Sequence, residues 1–293
     1  MSWPSYTERL LSIPSPSSGT LSVGPLRLTA YGLMIALGVV AATSLAARRL
    51  VRANIGSRDD MNSIAIWGVI GGVVGARLYH VITDWELFRG DLGRIPLIWK
   101  GGLGIPGGLL GGTLCGLYAA RRRGVALSGL LTAAAPALPL AQSIGRWGNW
   151  WNQELFGRAT TLPWALRISN ENLPTGYAAG TTFHPTFLYE SLWTLALCLV
   201  LLQIDRRSKL KPGSLFAVYL AGYFGGRFWI EGMRIDPAHQ LLGLRLNQWV
   251  AAAVVVASIT FLAVDHRRTR PESGERGSVV DRDFDDNRRD ARL

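Results

Sequence analysis

The stretch IGRWGNWWNQELFGR, residues 144–158, decides how this chain is read. It follows an apolar run long enough to cross a bilayer. It crowds Arg146, Arg158, Asn149, Asn152, Gln153 and Glu154 into the point where a helix leaves lipid. Polar groups at that depth cost free energy unless they are partnered or functional. The stretch therefore predicts a polar site at a membrane surface, built on a helix that ends there.

Working outward, the composition fits a membrane protein. The hydrophobic fraction is 48%, and 34 Gly and 11 Trp occur in 293 residues. Trp favours the lipid–water boundary, and Gly allows helices to approach closely. Seven apolar stretches approach or exceed the ~18 residues that span a bilayer: roughly 27–47, 63–83, 97–120, 125–145, 185–204, 213–233 and 246–264. The expected fold is an all-α integral membrane protein of seven transmembrane helices with a small outer-face head region.

Arginine placement orients these spans. Arg48, Arg49, Arg52 and Arg58 follow the first, Arg121, Arg122 and Arg123 the third, Arg206, Arg207, Lys209 and Lys211 the fifth, and Arg267, Arg268 and Arg270 the seventh. The alternate loops mix acids with bases. The bias puts the N-terminus outside and the C-terminus in the cytoplasm. Most of the net charge of +11 lies in the inner loops, where anionic lipid attracts it, so nucleic acid is not needed to explain it. Cys115 and Cys198 fall inside spans and read as small apolar residues. Span one follows little charge and precedes many arginines, the pattern of an uncleaved first helix.

The expected organisation is an outer N-terminal segment over residues 1–24 and a membrane domain over 25–266. Within the latter, residues 146–183 form the outer head, with turns and short strands. A disordered charged tail occupies 267–293. The glycine-rich GGLGIPGGLLGG, residues 101–112, admits two readings: a backbone surface that a substrate approaches, or close packing between helices.

Unusual residues from six spans converge on the outer leaflet. They are Tyr31, Arg77 with His80, the glycine-rich segment, Arg146 with Asn149, His184, and Tyr223 with Arg227 and Glu231. Tyr223, Arg227 and Glu231 recur every fourth residue, and Arg234 lies on the same stripe. One structural Arg–Glu pair would account for Glu231 and one arginine. It does not account for the rest: the outer half carries Arg77, Arg146, Arg158, Arg227 and Arg234 against Glu154, Glu190 and Glu231, a positive surplus. Guanidinium forks match phosphate and stay charged when desolvated. The pattern points to a phospholipid headgroup site, with a transporter of a carboxylate or other small anion, or of lipid, as the alternative. On a helix, Arg146, Asn149 and Gln153 would share a face. No metal-ligand spacing, P-loop, HExxH, GxSxG or dinucleotide fingerprint is present, so neither metal nor cofactor is expected.

The segment GRWGNWWNQELFGR closely resembles the signature of the phosphatidylglycerol–prolipoprotein diacylglyceryl transferases. The similarity extends to YGL at Tyr31, GGVVGAR ending at Arg77, HPTFLYE at 184–190 and YFGGRFWIEGMR at 223–234. The resemblance implies a multi-pass enzyme of the bacterial inner membrane. Its substrates would be phosphatidylglycerol and prolipoprotein signal peptides bearing a lipobox cysteine. The diacylglyceryl group passes to that cysteine's thiol, and glycerol phosphate leaves. The resemblance puts functional weight on Arg146, Asn149, Gly157, Tyr223, Arg227 and Glu231. One departure stands out: the family's GG-x-x-x-HGG histidine is Pro106 here.

The expected mechanism starts from a thiolate. Free cysteine titrates at about 8.5, and nearby arginines lower that value. Arg146 and Arg227 would stabilise the departing phosphate, Asn149 would orient it, and Glu231 would hold Arg227 or Arg234. His184 or Glu154 would act as base. Asn152, Glu154, Gly157, Tyr31, Arg77, Tyr223 and Arg234 complete the expected binding surface.

Overall fold

The computed structural model describes residues 12–23, 26–207 and 210–267. Expectations for residues 1–11 and for the tail beyond 267 fall outside the described residues. Helices occupy all the predicted apolar stretches: α1 (Ala30–Arg52), α2 (Arg58–Thr83), α3 (Ile105–Arg122), α4 (Leu127–Ala134), α5 (Ala137–Gly145), α6 (Trp147–Asn152), α7 (Thr186–Arg207), α8 (Ser214–Glu231) and α9 (Leu246–Arg267). Four of them, α1, α2, α7 and α9, are long and apolar enough to cross a membrane. The bent run formed by α4 with α5 and α6 makes a fifth. The chain is thus a mostly helical membrane protein.

Local chemistry sets the helix ends. Thr29 caps α1 by accepting the Gly32 amide at 3.0 Å. Ser57 and Asp60 cap α2 reciprocally, Ser57 Oγ accepting the Asp60 amide and Asp60 Oδ2 accepting the Ser57 amide. Pro136 breaks the run between α4 and α5, which bends by 42°. Proline has no N–H for the carbonyl four residues back, Thr132. Arg49 of α1 donates there instead, from Nη2 to Thr132 O (3.0 Å) and from Nε to Ala133 O (3.2 Å).

The glycine-rich segment resolves into the packing reading over most of its length. Gly101 and Gly102 take positive φ (89° and 77°) and form a turn, open at Gly101 but packed on His80 at Gly102, and α3 starts only at Ile105. From there α3 lies directly on α2. A Cβ on Gly75 would come 2.3 Å from Gly107 O, and one on Gly111 would come 2.3 Å from Gly71 O. Only glycine permits this backbone contact. Cys115 packs against Gly71, and Cys198 is buried; both are free thiols.

The two ends of the bundle differ. At one end Ala46, Leu50, Met61, Ile64, Ala119, Ala120 and Leu130 close an apolar core around α1, α2, α3 and α4. At the other, the site end, the helix ends carry buried Arg, Glu and Asn. Residues 153–183 form a cap there, whose Phe156, Leu166, Ile168 and Phe183 pack into one apolar cluster with Phe187 of α7. The cap is built from irregular chain and short strands, β4 (Leu166–Arg167) and β5 (Thr182–Phe183), which pair antiparallel. The N-terminal strand β1 (Ile13–Pro14) pairs parallel with β4, which ties this part of the outer N-terminal segment to the cap, and β2 (Thr20–Val23) pairs antiparallel with β3 (Leu26–Thr29) just before α1. Trp150 Nε1 donates to Pro14 O at 3.1 Å and strengthens the join.

Candidate active site

The helical stripe on α8 brings Arg227, Glu231 and, just past its end, Arg234 together as the spacing predicts. Glu231 is fully buried. An isolated buried carboxylate would be too costly, so it must be paired. Its Oε2 lies 2.5 Å from Arg227 Nη2 and 3.5 Å from Arg234 Nη1; its Oε1 lies 2.8 Å from Arg245 Nε. Asn247 Nδ2 donates to the same Oε1 at 3.2 Å. Glu190 of α7, also buried, joins Arg146 to this group. Its Oε2 is 2.6 Å from Arg146 Nη2, and its Oε1 is 3.6 Å from Arg227 Nη1. Asp236 closes the far side, with Oδ1 2.7 Å from Arg234 Nε and Oδ2 2.8 Å from Arg245 Nη2.

Four guanidinium groups thus share three carboxylates in one continuous network, which leaves a positive surplus when every member is ionised. The surplus sits at the open side. The Arg146 and Arg227 side chains keep 19% and 17% of their exposure, against 7% for Arg234 and 9% for Arg245. Burial works against the charge on Arg234, but its hydrogen bonds to Asp236 and the charges of Asp236, Glu231 and Glu190 more than offset this and hold its proton tighter than usual. Burial would also raise the Asp236 carboxyl; Arg234 and Arg245 outweigh it and hold that group below the ordinary carboxylate range.

A second, smaller polar group adjoins the network. Glu154 Oε1 accepts from Asn149 Nδ2 (2.8 Å) and Asn152 Nδ2 (3.2 Å). Tyr31 lies beside it. Its ring covers Gly148, where a Cβ would meet ring carbon Cδ2 at 2.5 Å, and its phenol senses the charges of both Glu154 and Arg146. Gly157 provides the seam between cap and bundle. Its amide donates to His184 O at 3.0 Å, and a Cβ there would come 2.9 Å from the His184 Cβ. Arg158 follows, donating from its amide to Met233 O and from Nη2 to Gly232 O (2.7 Å), so the cap is stitched to the end of α8.

Three further residues lie outside the ion network. Arg77 is buried, but its fork donates to backbone carbonyls: Nε to Ile95 (2.7 Å), Nη2 to Arg94 (2.7 Å), and Nη1 to Gly101 (2.8 Å) and Gly102 (2.9 Å). It organises the loop before α3. His184 Nδ1 is 3.1 Å from the Tyr189 hydroxyl, which also accepts from Trp164 Nε1. Tyr223 stacks on Tyr219, one turn along α8 from Arg227. One expectation is corrected: Gln153 does not share a face with Arg146 and Asn149. The α6 helix ends at Asn152, Gln153 turns left-handed (φ 53°), and its amide bridges Pro16 O and the Ser169 amide.

A family model described as prolipoprotein diacylglyceryl transferase matches residues 19–264. This chain belongs to that family. Among curated relatives, phosphatidylglycerol–prolipoprotein diacylglyceryl transferase 1 of Streptomyces coelicolor is 45% identical over 290 residues, covering 94% of this chain and 83% of its own. The Frankia alni transferase of the same name is 48% identical over 264 residues (89% of this chain, 69% of its own). That of Cutibacterium acnes is 46% identical over 263 residues (88% of each). Of the residues on which the family resemblance puts weight, the network joins Arg146, Arg227 and Glu231; Asn149, Gly157 and Tyr223 lie outside it.

Sequence reasoning missed Arg245, Asp236 and Asn247 as members of the site and treated Glu190 only as a counter-charge. A signal was present. The loop after α8 carries Asp236 between Arg234 and Arg245, a balance read for membrane orientation alone. A hairpin makes the connection: β6 (Gln240–Leu241) and β7 (Leu244–Arg245) pair across Leu242 and Gly243, both at positive φ. Such a two-residue turn reverses the chain tightly. It returns Arg245 to Arg234, whose carbonyl accepts from Arg245 Nη1 at 2.9 Å.

Proposed function

We propose that this protein transfers the sn-1,2-diacylglyceryl group of phosphatidylglycerol to the lipobox cysteine of prolipoproteins, the first step of lipoprotein maturation. The observation that carries the proposal is the arginine network. A cluster of guanidinium groups in excess over its carboxylates, with Arg146 and Arg227 on its open side, suits a phosphodiester. Membership in the family supplies the reaction.

The cysteine thiolate attacks the glycerol carbon that bears the phosphate ester. A carbon–sulfur bond forms, the carbon–oxygen bond breaks, and its electron pair leaves with glycerol phosphate. Charge grows on that phosphate, and Arg146 and Arg227 stabilise it from preorganised positions, each worth about 2.7–4 kcal/mol in such a site. Glu190 and Glu231 hold the two forks, and Arg234 braces Glu231. Asn149 and Asn152, held by Glu154, orient phosphate or glycerol hydroxyls. Tyr31 and Tyr223 flank the headgroup, and Gly157 keeps the cap close. Arg77 acts by shaping the loop at the mouth. The thiol proton passes to His184 or Glu154; Pro106 offers no such group.

In this reading all seven apolar stretches cross the inner membrane as one domain, residues 25–266. The site end and its cap face outward, and the C-terminus lies in the cytoplasm. The arginine-rich loops on the opposite end support this orientation.

The test is mass spectrometry of a lipobox peptide incubated with membranes containing the protein and phosphatidylglycerol. The expected product carries a thioether-linked diacylglyceryl group, with release of one glycerol phosphate. Solute flux without that adduct would point to a transporter and overturn the proposal. Comparing His184→Ala with Pro106→His identifies the base: full activity in His184→Ala removes His184 from that role.

A further inference from the structure

We infer that Arg245 is a positioning residue for transfer, acting through Glu231 to keep the Arg227 fork available to the lipid phosphate. The inference rests on the proposed function and extends it to a residue outside the stripe that suggested it.

A carboxylate left beside an arginine tends to take it in a two-pronged contact, with both oxygens on two N–H groups. Such a contact would neutralise Arg227 and occupy the donors that the substrate needs. The geometry at Glu231 prevents it. Oε1 is held from the α9 side, by Arg245 Nε at 2.8 Å and Asn247 Nδ2 at 3.2 Å. Only Oε2 meets Arg227, and only at Nη2. The Arg245 Nε–H is not aligned as a hydrogen bond to Oε1, so charge and contact hold the oxygen rather than a directed bond.

Arg245 is itself fixed from three sides. Nη2 donates to Asp236 Oδ2 at 2.8 Å, Nη1 donates to Arg234 O at 2.9 Å, and its amide donates to Gln248 Oε1 at 3.1 Å. Its side chain is only 9% exposed, so it does not itself reach a lipid lying in the open side. It also supplies a charge that matters. Without Arg245 the same three carboxylates face three guanidinium groups, and the surplus vanishes. A neutral cluster has no net attraction for a phosphodiester.

The experiment measures initial rates for wild type, Arg245→Gln, Arg245→Lys and the double variant Arg245→Gln/Glu231→Gln. Rates are taken in membranes and normalised to folded protein, with phosphatidylglycerol and lipobox peptide varied separately. In Arg245→Gln the KM for phosphatidylglycerol should rise about tenfold, the size of one lost charged contact. The KM for the peptide should stay unchanged. Arg245→Lys restores the charge and should recover most of the loss. The double variant should be more active than Arg245→Gln alone, because removing the carboxylate charge frees Arg227 again. A purely structural role would lower kcat alone and make the double variant worse. Unchanged KM for phosphatidylglycerol in Arg245→Gln, no recovery in the double variant, or failure of both Arg245 variants to accumulate would each overturn the inference. Absence of adduct in wild type would instead strike the proposed function itself.

Discussion

The two ends of the helical bundle handle charge in opposite ways. At the end closed by Leu50, Met61 and Leu130, ions meet in separate pairs near the surface: Arg123 with Asp60 at 3.5 Å, Lys211 with Asp265 at 2.8 Å, Arg49 with Asp205 at 2.9 Å. Each pair is local, and water reaches most members. At the site end, Arg146, Arg227, Arg234 and Arg245 share Glu190, Glu231 and Asp236 in a single buried network. Paired surface ions are a weak source of stability. A shared, buried, unbalanced set is costly to build, and the cost makes sense only where an external anion completes it.

The contrast can be broken most forcefully at Glu231. Glu231→Ala removes the central carboxylate and leaves buried guanidinium groups uncompensated, so unfolding in detergent should become easier by about 3–5 kcal/mol. Next come the open-side arginines. Arg146→Ala and Arg227→Ala should each lower transfer by about 10²–10³-fold in a membrane assay, with the Lys variants in between because a point charge cannot reproduce the fork. Near-normal turnover in all four would dissolve the distinction between the ends.

Smaller effects sharpen it. Gly75→Ala would drive a methyl into Gly107 O and push α3 off α2, a loss of about 1–3 kcal/mol in thermal unfolding. Acid should act on the site end through Asp236. Its carboxyl is held low in the folded state, so its contribution is present above the ordinary carboxylate pKa and is lost as pH falls through the lowered value. Stability should therefore be insensitive to Asp236→Asn only in strong acid. The variant should be weaker than wild type at neutral pH, and the two melting curves should converge only once the pH has fallen through the lowered Asp236 value. At the opposite end, Arg123→Ala should change stability by less than about 1 kcal/mol and leave transfer untouched.

Much of this contrast was legible before the coordinates. Repeats of four along α8 put Arg227 and Glu231 on one stripe, and the apolar stretches located the helices. What stayed hidden depends on contacts that no local pattern encodes. Arg245 reaches Glu231 only because a hairpin with Leu242 and Gly243 at its tip folds it back. Gln153 looked helical by spacing, but a left-handed turn one residue past α6 carried it away. The glycines of residues 101–112 were compatible with both a substrate surface and tight packing. The partner glycines on α2, one turn apart at Gly71 and Gly75, favour packing, and they become informative only once the two helices are known to touch. Arg77 misled for a related reason: its partners are main-chain oxygens, which carry no residue code.

That last point reaches beyond the site. Because Arg77 grips Arg94, Ile95, Gly101 and Gly102 by their peptide oxygens, the shape of the loop is written in α2 rather than in the loop's own side chains. Most positions between 94 and 100 can therefore change identity without altering the path of the chain, whereas a single exchange at Arg77 would release the whole segment at once.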